Sequence, residues 1–115
     1  MTLSVQEGPV ILIGYEYRLQ IEAEAVLFPE WADFAGQLRA TITSTSVLAE
    51  LTSSEGSILR LDDRTIEIIL APALTAGLSP GGIVLDLVRT DLVPPRHLAF
   101  LLEIPVVQPV TRGLG

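Results

Sequence analysis

Apolar and polar residues alternate along the first quarter of the chain. Tyr15, Tyr17, Leu19, Ile21, Ala23, Ala25 and Leu27 interleave with Glu16, Arg18, Gln20, Glu22, Glu24 and Val26. Successive strand side chains point to opposite faces, so this spacing predicts a long strand with one apolar and one charged face. A helix would spread the charges around its circumference. One wet face is the pattern of an antiparallel sheet. A second alternation sets Leu38, Ala40 and Ile42 between Gln37, Arg39, Thr41 and Thr43. Further strands are predicted over 47–52, 83–90 and 97–107, with an edge strand over 3–7. Residues 57–61 and 65–71 read as a hairpin bent at Asp62-Asp63-Arg64.

Turn residues separate these runs. Phe28-Pro29-Glu30 closes the long strand, and Glu55-Gly56 and Ser79-Pro80-Gly81-Gly82 break the chain sharply. Pro94-Pro95 cannot donate backbone hydrogen bonds and marks a loop. Residues 72–78 combine a leading Pro with a trailing Gly, the order suited to one short helical turn. Asp33-Phe34-Ala35-Gly36 reads as a tight turn feeding the strand from Gln37, with Phe34 burying its ring and Trp31 a second anchor. Short strands at regular spacing with turn residues between them predict an all-β sandwich. At 115 residues the chain is one domain, 1–115, with extended termini over 1–9 and 108–115.

Composition narrows the function classes. The net charge is −7 and all seven basic residues are arginine. A nucleic-acid binder needs a basic face to displace counterions, so nucleic acid is not an expected partner, and an anionic membrane surface is disfavoured on the same ground. The mean hydropathy is high, +0.50. Yet no apolar run approaches the roughly 20 residues of a membrane helix. The first residues show no basic segment or cleavage site, so no signal peptide is expected. Cysteine is absent, which excludes disulfides and fits assembly in a reducing cytoplasm.

Candidate chemistry is sparse. His97 is the single histidine, has no Cys to pair with, and reads as a solvated loop residue. Glu22 and Glu24 share a strand face, but beside Arg18 and Gln20 that face reads as solvated. Asp62-Asp63 fits a hairpin tip better than a calcium cage. The glycines form neither a phosphate cradle nor a nucleophile elbow. No catalytic, metal or cofactor site is expected, and the chain reads as non-enzymatic.

The apolar excess is the more informative feature. Val10, Ile11, Leu12 and Ile13 lie outside the best alternating runs. In the last strand Leu98, Phe100, Leu102, Ile104 and Val106 take one face, and Ala99, Leu101, Glu103 and Pro105 a second, partly apolar one. Either both faces are buried or one meets another chain. The contact candidates are Val10, Ile11, Leu12, Ile13 and the tail with Val107, Val110, Thr111, Arg112 and Leu114, which could add a strand to a neighbour.

Several stretches, in order, resemble a known family. These are Asp33-Phe34-Ala35-Gly36 before the strand Gln37 to Ile42, Glu55-Gly56-Ser57-Ile58, Thr65-Ile66-Glu67-Ile68 and Leu74-Thr75-Ala76-Gly77-Leu78. Leu85-Asp86-Leu87, the run from Leu101 to Val106 and Val110-Thr111-Arg112 complete the series. The chain resembles small phage and prophage proteins related to the N-terminal domain of upper-baseplate proteins. The resemblance implies an immunoglobulin-like antiparallel β-sandwich serving as a virion building block. The expected role is attachment or fibre anchoring at the tail or baseplate, in several copies, bound to other virion proteins after assembly in the host bacterial cytoplasm. A length of 115 residues implies the attachment domain alone, without a receptor-binding head. A capsid decoration or head–tail connector protein is the alternative. A free-standing ligand-binding β-sandwich is a third reading, and it would want exposed aromatics clustered on loops.

Overall fold

The computed structural model describes residues 10–98 and 101–111, and the backbone of residues 3 and 4. The alternation becomes two sheets. One has four strands in the order β1 (Leu3–Ser4), β3 (Tyr17–Ala23), β7 (Thr65–Leu70) and β6 (Ile58–Asp62). The other runs β2 (Ile11–Leu12), β10 (Leu102–Val107), β8 (Gly81–Arg89), β4 (Phe34–Arg39) and β5 (Ala49–Thr52), with the short β9 (Arg96–His97) also on β8. One helical turn, α1 (Pro72–Thr75), links β7 to β8 as predicted.

The inward residues of both sheets form a single apolar cluster. Tyr17, Leu19, Ile21 and Ala23 of β3 meet Ile66, Ile68 and Leu70 of β7 and Ile58 of β6. Leu38 of β4, Leu51 of β5, Ile83, Leu85 and Leu87 of β8, and Leu102, Ile104 and Val106 of β10 complete it. Each large aliphatic side chain so buried contributes about 1.5–3 kcal/mol of transfer free energy. Outward positions of β3 are Arg18, Gln20 and Glu22, all exposed, which is the charged face predicted. Arg18 bonds Glu16 and, across the sheet, Glu67. Among the described residues no helix is long and apolar enough to cross a membrane.

Several expectations are corrected. The long strand stops at Ala23, and Ala25 and Val26 are exposed. Its partner β7 begins at Thr65, so nothing remains to pair with beyond it. The chain instead folds over the hairpin tip: the Ala23 and Phe28 amides donate to the carbonyls of Arg64 and Asp63, at 2.7 and 2.9 Å. β4 starts at Phe34 rather than Gln37 and ends at Arg39, leaving Ala40 and Ile42 exposed. The chain turns there, with the Arg39 guanidinium donating to the Ser44 carbonyl at 2.9 Å. Gly36 is therefore a strand residue, and its reason is proximity: a Cβ would lie 2.6 Å from the Asp86 carbonyl and 2.7 Å from the Leu87 side chain. The last strand is interrupted between His97 and Leu102; of the intervening residues, Ala99 and Phe100 lie outside the described residues. The architecture is also not wholly antiparallel, because β2 pairs parallel with β10, Ile11 opposite Val106 and Leu12 opposite Val107.

Among the described residues one polar side chain, Thr75, is buried in the core, and its bonds account for it. Thr75 Oγ1 donates to the Tyr15 carbonyl at 2.8 Å and accepts the Gly14 amide at 3.1 Å. It latches α1 to the turn between β2 and β3, where Gly14 takes the positive φ of 90° that a side chain disfavours.

Candidate interaction surface

The parallel pair decides which of the contact candidates face solvent. In β2 the side chains alternate, so Ile11 is fully buried while Leu12 is 40% exposed. Ile13 follows Ile11 into the core, and its amide extends the ladder by donating to the Val107 carbonyl at 3.0 Å. Ile11 and Ile13 are thus core residues, which corrects their place among the contact candidates. Val10 and Leu12 remain outside, and the register sets Leu12 directly beside Val107, also exposed.

β10 carries this surface across the sheet. Its burial alternates strictly, with Leu102, Ile104 and Val106 inward and Glu103, Pro105 and Val107 outward. Exposed Leu101 precedes them. Val84 and Val88 of β8 point the same way, half-buried. The partly apolar second face read from the sequence is therefore the outer face of the six-stranded sheet, and it faces solvent rather than a second layer of this chain. A groove of about 630 Å³ crosses its lower part, between Ile42, Gly82, Val84 and Pro105. Pro105 stands opposite Gly82, which has no side chain to fill the space. Ile42 continues the apolar set of the second alternation, and the early end of β4 makes it a groove wall.

The chain end is tied back to the domain. Val110 is exposed, and the Thr111 carbonyl accepts the Tyr15 hydroxyl at 2.8 Å. Arg112 and Leu114 lie outside the described residues.

The titratable groups act as braces. His97 Nε2 lies 2.7 Å from Asp86 Oδ2, both partly exposed, so the histidine sits on a strand with a carboxylate partner rather than in a loop. At the C-terminal end of β8, Arg89 grips Asp91 at 2.7 Å, and this hydrogen bond holds the Asp91 carboxyl down to about 2. Asp91 Oδ1 also accepts the Asp33 amide at 3.1 Å. Asp62 accepts the Arg64 amide at the hairpin tip, and its pKa too is lowered, chiefly by that bond. Glu22 and Glu24 are exposed, as the solvated reading has it. Among the described residues no group of three or more His, Cys, Asp or Glu is arranged to hold a metal.

Trp31 is the residue whose environment the sequence reading missed most. It was expected as an anchor and is 75% exposed. The anchor is Phe28 instead, fully buried and edge-on to Phe34 with ring centroids 5.5 Å apart. No protein-family model matches the chain, and no curated protein matches it.

Proposed function

We propose that this chain is a non-enzymatic structural component of a tailed-phage virion, an immunoglobulin-like sandwich at the tail or baseplate that attaches neighbouring proteins or anchors a fibre. The observation that carries the assembly role is the outer face of the six-stranded sheet, where Leu12, Pro105 and Val107 stand exposed on strands and Val10 and Leu101 stand exposed immediately ahead of them. A ladder-held apolar face of this kind gains free energy when another chain covers it. The strand order favours the immunoglobulin-like reading. Apart from the edge strand β2, β1-β3-β7-β6 against β10-β8-β4-β5 agrees with the A-B-E-D and G-F-C-C′ order of such sandwiches. The virion itself rests on the resemblance of the ordered turn and strand motifs between Asp33 and Arg112 to upper-baseplate attachment domains. Other virion proteins, in several symmetric copies, are the partners of this reading.

The test is mass spectrometry on purified particles of the source phage, heads and tails separated before digestion. The chain is expected with the tails. Recovery with the heads would favour a capsid decoration or connector role, and absence from both would refute the virion assignment.

A further inference from the structure

The opposite kind of surface lies at one end of the molecule. β3 ends there, β4 begins there, and the β6–β7 hairpin tip and the end of β8 share it. The connection from Ala23 to Phe34 is held at several points. The Phe28 carbonyl accepts Arg60 Nε at 2.7 Å, and Arg60 in turn pairs with Asp63. Ala32 donates to the Pro29 carbonyl at 3.0 Å, closing a turn with Trp31 at its corner. The Thr90 amide donates to the Asp33 carbonyl at 2.9 Å, tying this connection to the segment after β8. That segment carries Val93, 99% exposed.

The single tryptophan of the chain is therefore presented to solvent from a braced backbone. An indole is the most costly side chain to leave in water and the most frequent energetic anchor of interfaces. Bracing removes the ordering cost that a loose loop would incur on binding. The surrounding charge specifies the partner. Asp63 and Asp91 are neutralised by Arg60 and Arg89. Among the described residues at this end, Glu24, Glu30 and Asp33 stand outside ion pairs, as does Asp62 within the field of Arg60, against two arginines, Arg64 and Arg96. Glu30 is the immediate neighbour of Trp31.

We infer that this loop end docks a basic protein partner, a different chain that offers an apolar recess for Trp31 rimmed by Lys or Arg facing Glu24 and Glu30. Two copies of the same acidic end would repel, and with a net charge of −7 and no lysine the chain supplies little of the needed basic rim itself. The inference stands apart from the virion reading, since it needs only the loop geometry and charge.

The experiment installs the photo-crosslinker p-benzoylphenylalanine at position 31 in the full chain, expressed in its host cell, with position 20 on the outer face of the four-stranded sheet as the control site. Cross-linked peptides are sequenced by mass spectrometry. The expected adduct at position 31 joins a peptide of a different protein that contains Lys or Arg. In a Glu24→Lys, Glu30→Lys background, whose fold is checked by circular dichroism, that adduct should fall at least tenfold. Once the partner is identified, Trp31→Ala should weaken its binding by about tenfold or more. An adduct with a second copy of this chain, an adduct indifferent to charge reversal, or none at position 31 would overturn the inference. An adduct to a basic protein of no virus particle would leave it standing and remove the virion reading.

Discussion

The two outer faces of this molecule are written in the same alternation and differ in what the outward positions hold. On the four-stranded sheet they are chiefly Arg18, Gln20, Glu22 and Glu67, with Ile69 and the exposed Leu59 at the β6 edge, and Arg18 bridges to both Glu16 and Glu67. On the six-stranded sheet Leu12, Val107, Pro105 and Val84 form the apolar part, beside Glu103, the Asp86–His97 pair, and Gln37 and Arg39 of β4. A hydrated face needs nothing further. An apolar face held flat by a ladder keeps its unfavourable contact with water until something covers it. The inward alternation accounts for the fold, and the proposed assembly role draws on the difference between the outward sets.

The sharpest break of this comparison places charge on each face in turn. Leu12→Asp with Val107→Asp should reduce association with the natural partner by a hundredfold or more, about 3 kcal/mol, because each carboxylate would be desolvated unpaired. The melting temperature of the isolated chain should barely move, since both residues are exposed. Gln20→Asp on the charged face should change neither. Association measured by light scattering or pull-down of the purified components decides it, and equal effects on the two faces would erase the distinction.

The next test acts on the flatness of the apolar face. Gly36→Ala forces a methyl against the Asp86 carbonyl and the Leu87 side chain, and should destabilise the fold by about 3 kcal/mol in urea unfolding. A loss under 1 kcal/mol would mean that β4 and β8 can part without disturbing the sheet. Smaller still, Thr75→Val removes the latch between α1 and the turn ahead of β3, leaving the Gly14 amide and Tyr15 carbonyl unpaired, at about 2 kcal/mol. Stability unchanged by this swap would show that water replaces the hydroxyl.

The last prediction concerns acid. The folded Asp91 carboxyl titrates at about 2, below the ordinary unfolded value of about 3.9. Its contribution is therefore fully present above pH 4 and is lost as the pH falls toward 2. Asp91→Asn should flatten the acid limb of the stability curve in that window and leave its slope above pH 5 unchanged. A wild-type limb unaffected by the substitution would assign acid sensitivity to the other carboxylates.

Much of the fold was legible from alternation and turn residues. The strand at Tyr17, the hairpin across Asp62-Asp63-Arg64, the helical turn at Pro72 and the strand at Ile83 stand where the pattern places them. What alternation could not reveal was where a ladder runs out. Ala25 and Ile42 continue the pattern in sequence but have no neighbouring strand beside them, so both are exposed. Ile11-Leu12 is too short to show a period, and its parallel pairing depends on a strand some 95 residues later in the chain. Gly36 carries no local mark of its role, because the atoms that exclude a side chain belong to β8. The candidate surface was half legible for the same reason. Val10, Leu12 and Val107 could be named from their composition, but separating them from Ile11 and Ile13 required knowing which side of β2 meets the core.

The parallel pairing of β2 and β10 also has a mechanical side. Both strands run in the same direction, so traction on the chain ahead of Ile11 and beyond Val107 pulls the two strands past one another along their length. Every hydrogen bond between them, including Ile13 to Val107, is then loaded at once rather than opened one at a time as in a zipper. A domain joined to its neighbours through its two ends would load β1 on β3 and then this short clasp, whose shear geometry resists a pull that peels an antiparallel hairpin apart.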